Sequence, residues 1–360
     1  MSFPFLQPYA GLGNSLQTAQ AAGGAGGAVG GWVELGRTTL GSDGDSIDVT
    51  GLADKRYYMV LGDFRSSGNT IPSVRFNSDT GTNYARRQSN NGGADATATS
   101  TNLISWGSTD SAANQKFGFG YLVNLPSKEK LWIAQMGESG STGAANATNR
   151  REVVAKWANT SNSISSVNII NQSSGDYVSG SECVVLGWDP ADTHTSNFWE
   201  ELASVELGTT ADSFDTGTFT AKKYLWVQVF TKGSGAVRAG VRLGNSTIDT
   251  GANYAIKRSH NGAADETFTN GTFGVMTTSG APSNDNEFIN MFIINNASNE
   301  KLAISHYSRK NTSGAANAPN RGEIVGKWAN TSNQCNIIQA HNDQSGDFVS
   351  GSIIKVWGAD

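Results

Sequence analysis

The chain has 360 residues, a formal net charge of −5, 43 glycines, two cysteines and only 16% charged residues. Its Lys and Arg are scattered singly, which argues against a nucleic-acid surface, because phosphate binding needs clustered cations. No apolar run approaches the ~20 residues that span a bilayer as a helix, and the excess of Gly, Asn, Ser and Thr over helix-spaced apolar residues points to many short strands joined by turns.

Residues 1–30 open with an apolar and aromatic plug, continue through a stretch from Asn14 to Ala22 long enough for two helical turns, and end in a glycine-rich tether at Gly23–Gly27. Exposed aromatics are uncommon in disordered tails, so Phe3, Phe5, Leu6, Tyr9, Leu12 and Leu16 are expected to anchor the chain on a partner. The segment lacks the basic start and apolar core of a secretory signal, so export by that route is not expected.

From Gly31 onward, alternation and turn residues predict strands at 31–40, 46–49, 56–64, 73–77, 102–106, 117–124, 130–136, 152–157, 168–171 and 182–188. A polar, proline-containing stretch at 190–198 reads as a linker. Strands then return at 223–231, 236–243, 271–277, 290–295, 301–307, 323–328 and 353–357.

The two halves are copies of one another. GAANATNRREVVAKWANTSN from Gly143 and GAANAPNRGEIVGKWANTSN from Gly314 agree at sixteen of twenty positions with an offset of 171, and GTNYARRQSNNGGADAT from Gly81 matches GANYAIKRSHNGAADET from Gly251 at 170. So long a period excludes a solenoid and fits a domain copied in tandem. The expected architecture is all-β: two duplicated antiparallel β-sandwich domains of jelly-roll type, at 31–189 and 199–360, preceded by an extended N-terminal arm.

Candidate chemistry is sparse. His194, His260, His306 and His341 show no metal-ligand spacing, and none has a counterpart histidine in the other copy. Asp43-Gly44-Asp45 resembles a calcium loop but serves equally as a turn. Gly175-Asp176 and Gly346-Asp347 read as turns in which glycine supplies a positive φ. Cys183 and Cys335 occupy non-equivalent positions, so buried free thiols are expected rather than a disulfide. No catalytic residue, metal or cofactor is assigned. The most pointed feature is the repeated KWANTSN. Trp157 and Trp328 either plug a sandwich end or, with Asn159, Asn162, Asn330 and Asn333, form a sugar platform or an interface. Arg150 and Arg321 with Glu152 and Glu323 are candidate interface salt bridges.

With its short strands, Asn/Ser/Thr/Gly-rich loops, N-terminal anchor and terminal strands SGSECVVLGW and SGSIIKVWG, the chain resembles the tandem β-sandwich surface proteins of tailed bacteriophage virions. The resemblance implies a non-enzymatic virion protein, a capsid decoration or a tail-fibre component, made in the host cytoplasm and displayed on the virion surface. Its implied partners are the major capsid protein or other virion proteins. Doubling of the domain adds the expectation of a homo-oligomer, three chains presenting six modules. The rival reading is a carbohydrate-binding adhesin, in which the doubled Trp-Asn block gives avidity for a glycan.

Overall fold

The structure is a computed structural model that describes residues 31–108, 114–277, 286–310 and 313–360. The expected anchor residues Phe3, Phe5, Leu6, Tyr9, Leu12 and Leu16, and the tether, lie outside the described residues.

All regular elements among the described residues are strands. The first repeat begins with β1 (Val33–Thr39), β2 (Ser46–Thr50), β3 (Tyr57–Arg65), β4 (Pro72–Phe76), β5 (Tyr84–Asn90) and β6 (Ala96–Thr101). It continues with β7 (Ile104–Ser105), β8 (Gln115–Val123), β9 (Lys130–Glu138), β10 (Asn149–Trp157), β11 (Ser166–Asn171) and β12 (Glu182–Trp188). The second repeat begins with β13 (Glu200–Glu206), β14 (Ser213–Asp215), β15 (Tyr224–Lys232), β16 (Ala239–Asn245), β17 (Thr247–Ile248), β18 (Tyr254–His260) and β19 (Glu266–Gly271). It ends with β20 (Val275–Met276), β21 (Asn286–Ile294), β22 (Lys301–Arg309), β23 (Asn320–Trp328), β24 (Ile337–Asn342) and β25 (Ile353–Ala359).

Each repeat is an antiparallel sandwich. An eight-stranded sheet ordered β1-β12-β3-β8-β9-β10-β5-β6 faces a four-stranded sheet ordered β2-β11-β4-β7. The second repeat repeats this as β13-β25-β15-β21-β22-β23-β18-β19 against β14-β24-β16-β17, with β20 also paired to β16. The tandem sandwiches expected from the sequence are therefore present.

Between the sheets of the first repeat lie Ile47, Val60, Val74, Trp106, Trp132 and Ile169; Val227, Val241, Ile289, Ile324, Ile338 and Val356 fill the second. Side chains alternate across a strand, so the neighbours of these residues on the large sheets point the other way. They do not meet water. Met59, Leu61, Phe117, Phe119, Val184 and Leu186 form a third apolar cluster with residues of the second repeat, among them Phe292, Leu302, Ile304 and Val325. The outer faces of the two eight-stranded sheets thus pack on each other, and the chain is one four-layered body. This explains why β3 is a near-continuous apolar run: it is buried on both faces.

Sequence reasoning missed the β5–β6 and β18–β19 hairpins at the sheet edges. β5, β6 and β19 are mostly polar, and β18 is buried along most of its length rather than at alternate residues, so alternation is weak. The signal lay in the turns: Asn91-Gly92 and Asn261-Gly262 all have positive φ (50° and 68°, 50° and 75°), the central pair of a tight turn for which Asn-Gly is favoured, set at the start of each connection. The reading of Gly175 and Gly346 needs correction. Neither has a positive φ. Their demand is for space, since a Cβ on Gly175 would stand 2.6 Å from the carbonyl carbon of Gly68, and one on Gly346 would stand 2.8 Å from the Ala236 oxygen.

Candidate functional site

Strand β10 alternates so that Val153, Ala155 and Trp157 face the core, and β23 places Trp328 equivalently. Both indoles are buried, at 1% and 2% exposure. Each Nε1 donates to a carboxylate on the turn before β5 or β18: Trp157 to Asp79 Oδ2 and Trp328 to Asp249 Oδ2, both at 2.7 Å. Tyr84 stacks along Trp157, and the ammonium groups of Lys130 and Lys301 lie 5.5 and 5.6 Å from the ring centroids of Trp157 and Trp328. Burial pushes the Lys301 ammonium down to about 8. Burial raises the Asp79 carboxyl, but the hydrogen bonds from Trp157, Asn83 and Gly81 outweigh it and hold the group below its ordinary value.

The asparagines complete an end plug. Asn159 Oδ1 accepts from the amides of Ser161 and Asn162 at 2.9 and 2.8 Å, and Asn330 Oδ1 does the same for Ser332 and Asn333 at 2.9 Å each. Asn162 and Asn333 remain exposed. Of the two alternatives that the sequence left open the indoles take the end plug: no ring face of Trp157 or Trp328 is open to stack on a pyranose, because core packing covers both. Beside Trp328 the structure does leave a shallow cleft of about 380 Å³, lined by Asn245, Thr247, Asp249, Thr250, Asn330 and Asn333 among others. Its wall includes β17, which has no counterpart strand in the first repeat.

The charged residues of the KWANTSN neighbourhood behave differently in the two copies. Lys156 and Glu129 form an exposed pair at 2.9 Å. Their equivalents, Lys327 and Glu300, form a buried pair at 3.3 Å. The β9–β10 loop of the first repeat covers it: Lys327 Nζ donates to the carbonyls of Ser139 and Ser141 at 2.9 and 2.7 Å, Glu300 accepts from the Gly143 amide at 2.6 Å, and Thr148 Oγ1 donates to the Val325 carbonyl at 2.9 Å. Arg150, a candidate interface residue, pairs with Glu152 and also reaches across to Asp265 at 2.7 Å, with both ends of that second pair buried. Arg321 pairs with Glu323 and is otherwise open.

A second polar seam crosses between the repeats at Glu182. It accepts from Tyr224 at 2.7 Å, Lys223 at 3.0 Å and Arg37 at 3.1 Å. Burial raises its pKa, and the bonds from Thr39, Lys223 and Tyr224 more than reverse this, leaving it below the ordinary carboxyl value. This seam carried no sequence signal, because Arg37, Glu182 and the Lys223-Tyr224 pair are far apart in the chain, and Glu182 has no counterpart carboxylate in the other copy.

Cys183 and Cys335 are free and buried, as expected, and burial pushes the Cys335 thiol up to about 11. Asp43 of the calcium-like loop accepts the Ser179 amide at 2.9 Å, a turn role. Among the described residues no group of three or more His, Cys, Asp or Glu is placed to hold a metal ion. The histidines are dispersed: His306 faces Gln135, His260 contacts the Tyr307 hydroxyl and His341 stacks on Phe273.

No protein-family model matches the chain, and no curated protein matches it. Among solved structures, domains LG4-5 of the mouse laminin alpha1 chain align over 93% of this chain and 92% of theirs, at 11% identity and a TM-score of 0.20. Neisserial surface protein A aligns over 79% and 96% at 5% identity and TM-score 0.14, and Ail of Yersinia pestis over 73% and 97% at 8% and 0.14. At such TM-scores these likenesses carry no argument about this chain.

Proposed function

We propose that the chain is a non-enzymatic structural protein of a tailed-phage virion surface, a capsid decoration attached through its N-terminal segment. The observation that carries this reading is the fusion of the two sandwiches into one four-layered block. Its conspicuous charged and aromatic motifs are spent on internal contacts, and its apolar surface is left for a partner. A protein of this kind gains stability from assembly by mass action. The test is binding of purified chain to particles of the virus that encodes it, comparing the intact chain with one lacking residues 1–30. Loss of binding by a truncated chain that keeps its fold supports the reading; equal binding, or none by either chain, removes it.

A second reading, glycan contact by an adhesin, is favoured only by the cleft beside Asn330 and Asn333. It has polar groups but no stacking ring. Substituting Asn333→Ala and Thr247→Ala in a glycan-binding screen tests it, and unchanged signals on every glycan would set it aside.

A further inference from the structure

The contact between the two repeats is not a two-fold one. The first repeat contributes one surface, which includes Phe117, Phe119, the β9–β10 loop and Arg150; the second contributes a different one, which includes Phe292, Leu302, Ile304, Val325, Lys327 and Asp265. Such a heterologous contact leaves much of each surface's equivalent unused on the opposite repeat, although Trp226 and Trp357, the equivalents of Met59 and Leu186, already pack into it.

Both equivalents carry exposed apolar side chains. On the first repeat, Leu131, Ile133 and Val154 are 57%, 63% and 48% exposed, whereas their counterparts Leu302, Ile304 and Val325 are 0%, 2% and 1% exposed. On the second repeat, Phe288 is 42% exposed where Phe117 is 1% exposed. The loop 313–319 is exposed throughout, although it carries the same GAANA as the loop that covers Lys327. Six large apolar side chains are exposed among the described residues, and all six occupy positions whose equivalents lie in the inter-repeat contact; the remaining two are Tyr121, matching Phe292, and Leu125, matching the Asn296 that bonds Asp63. Chance scatter of surface hydrophobics does not produce that coincidence.

Charge agrees. The buried Arg150–Asp265 pair has exposed counterparts in Arg321 on the second repeat, beside Glu323, and Asp95 on the first, beside Arg87, with side chains 62% and 52% exposed.

We propose that these two faces bind each other between chains: the second repeat of one copy seats on the first repeat of the next, extending the internal contact head to tail. The assembly closes into a ring if the rotation per step divides a full turn, and otherwise grows as a filament. The contact is weaker than the internal one, because Gln228 and Asn290 replace Leu61 and Phe119, and Pro319 cannot donate as Thr148 does. Association through these faces does not depend on attachment to a virion.

The test is sedimentation of the full chain over a concentration series. Mass rising above that of one chain is expected, with Ile133→Lys reducing association tenfold or more. Asp95→Arg and Arg321→Asp are each expected to stay monomeric alone and to associate when mixed, since each then offers the other a complementary face. All three sites are exposed, so unchanged circular dichroism and melting are expected. A wild-type chain that is monomeric throughout overturns the proposal, as does association indifferent to Ile133→Lys, or association seen only after removal of residues 1–30, which would assign the face to the chain's own N-terminal segment.

Discussion

Gln135 and His306 occupy equivalent positions in the two repeats, 171 residues apart, and their side chains meet across the contact with the two Nε2 atoms 2.5 Å apart. Burial, followed by the charges of Arg150 and Arg321, pushes the His306 imidazole down to about 4 from an ordinary 6.5. A histidine whose folded pKa is depressed binds its proton more readily in the unfolded chain. Stability is therefore full above about 6.5, falls as pH drops towards 4 and levels off below. The expected contribution is on the order of 3 kcal/mol. Urea titrations at pH 7 and pH 4.5 should show the wild type losing more stability than His306→Gln; equal losses would contradict this placement.

Lys327 and Lys156 stand in identical KWANTSN blocks but in opposite environments. Removing one partner of a buried pair leaves an uncompensated charge, so Lys327→Ala should cost about 3–5 kcal/mol. Lys156→Ala, at an exposed pair, should cost at most about 1 kcal/mol. Denaturant midpoints of the two variants measure the contrast.

Gly137 on β9 faces the second repeat closely, since a Cβ there would stand 2.7 Å from Val325 Cγ1 and 3.3 Å from Ile304 Cγ1. Gly137→Leu should overpack the contact at about 1–3 kcal/mol or more. Calorimetry is expected to show one transition for the wild type, whose repeats share an apolar cluster, and two for the variant as the repeats uncouple.

The end plugs should behave as core. Trp157→Ala or Trp328→Ala is expected to cost about 3–5 kcal/mol, and Asp249→Ala about 1–3 kcal/mol, because the Trp328 N–H is then buried without its acceptor. A tryptophan variant of near wild-type stability would return the indoles to the surface and reopen the platform reading.

Much of this was legible in the chain itself. The terminal strand Glu182–Trp188 is found where apolar patterning places it, and the free cysteines are where their unequal positions implied. The edge hairpins were visible only through Asn91-Gly92 and Asn261-Gly262, because their outer strands β6 and β19 are exposed on both faces and lose alternation. For Trp157 and Trp328 the sequence left the choice between plug and platform open. An indole at a strand end reads alike in either role until its neighbours, here Asp79 and Asp249, are placed.

By itself the sequence determined the class and the copying: strand periodicity, turn residues and a twenty-residue sentence written twice are local properties, and local properties survive in a string. Only the tertiary structure decided that two identical blocks would lead different lives. Leu131 and Leu302 both follow Glu-Lys and precede an isoleucine by two positions, and Lys156 and Lys327 stand in the same motif, yet one of each pair is covered and the other open. The cause is the heterologous packing of one sheet face on another, a relation between residues more than a hundred positions apart that the identical blocks have no means to record.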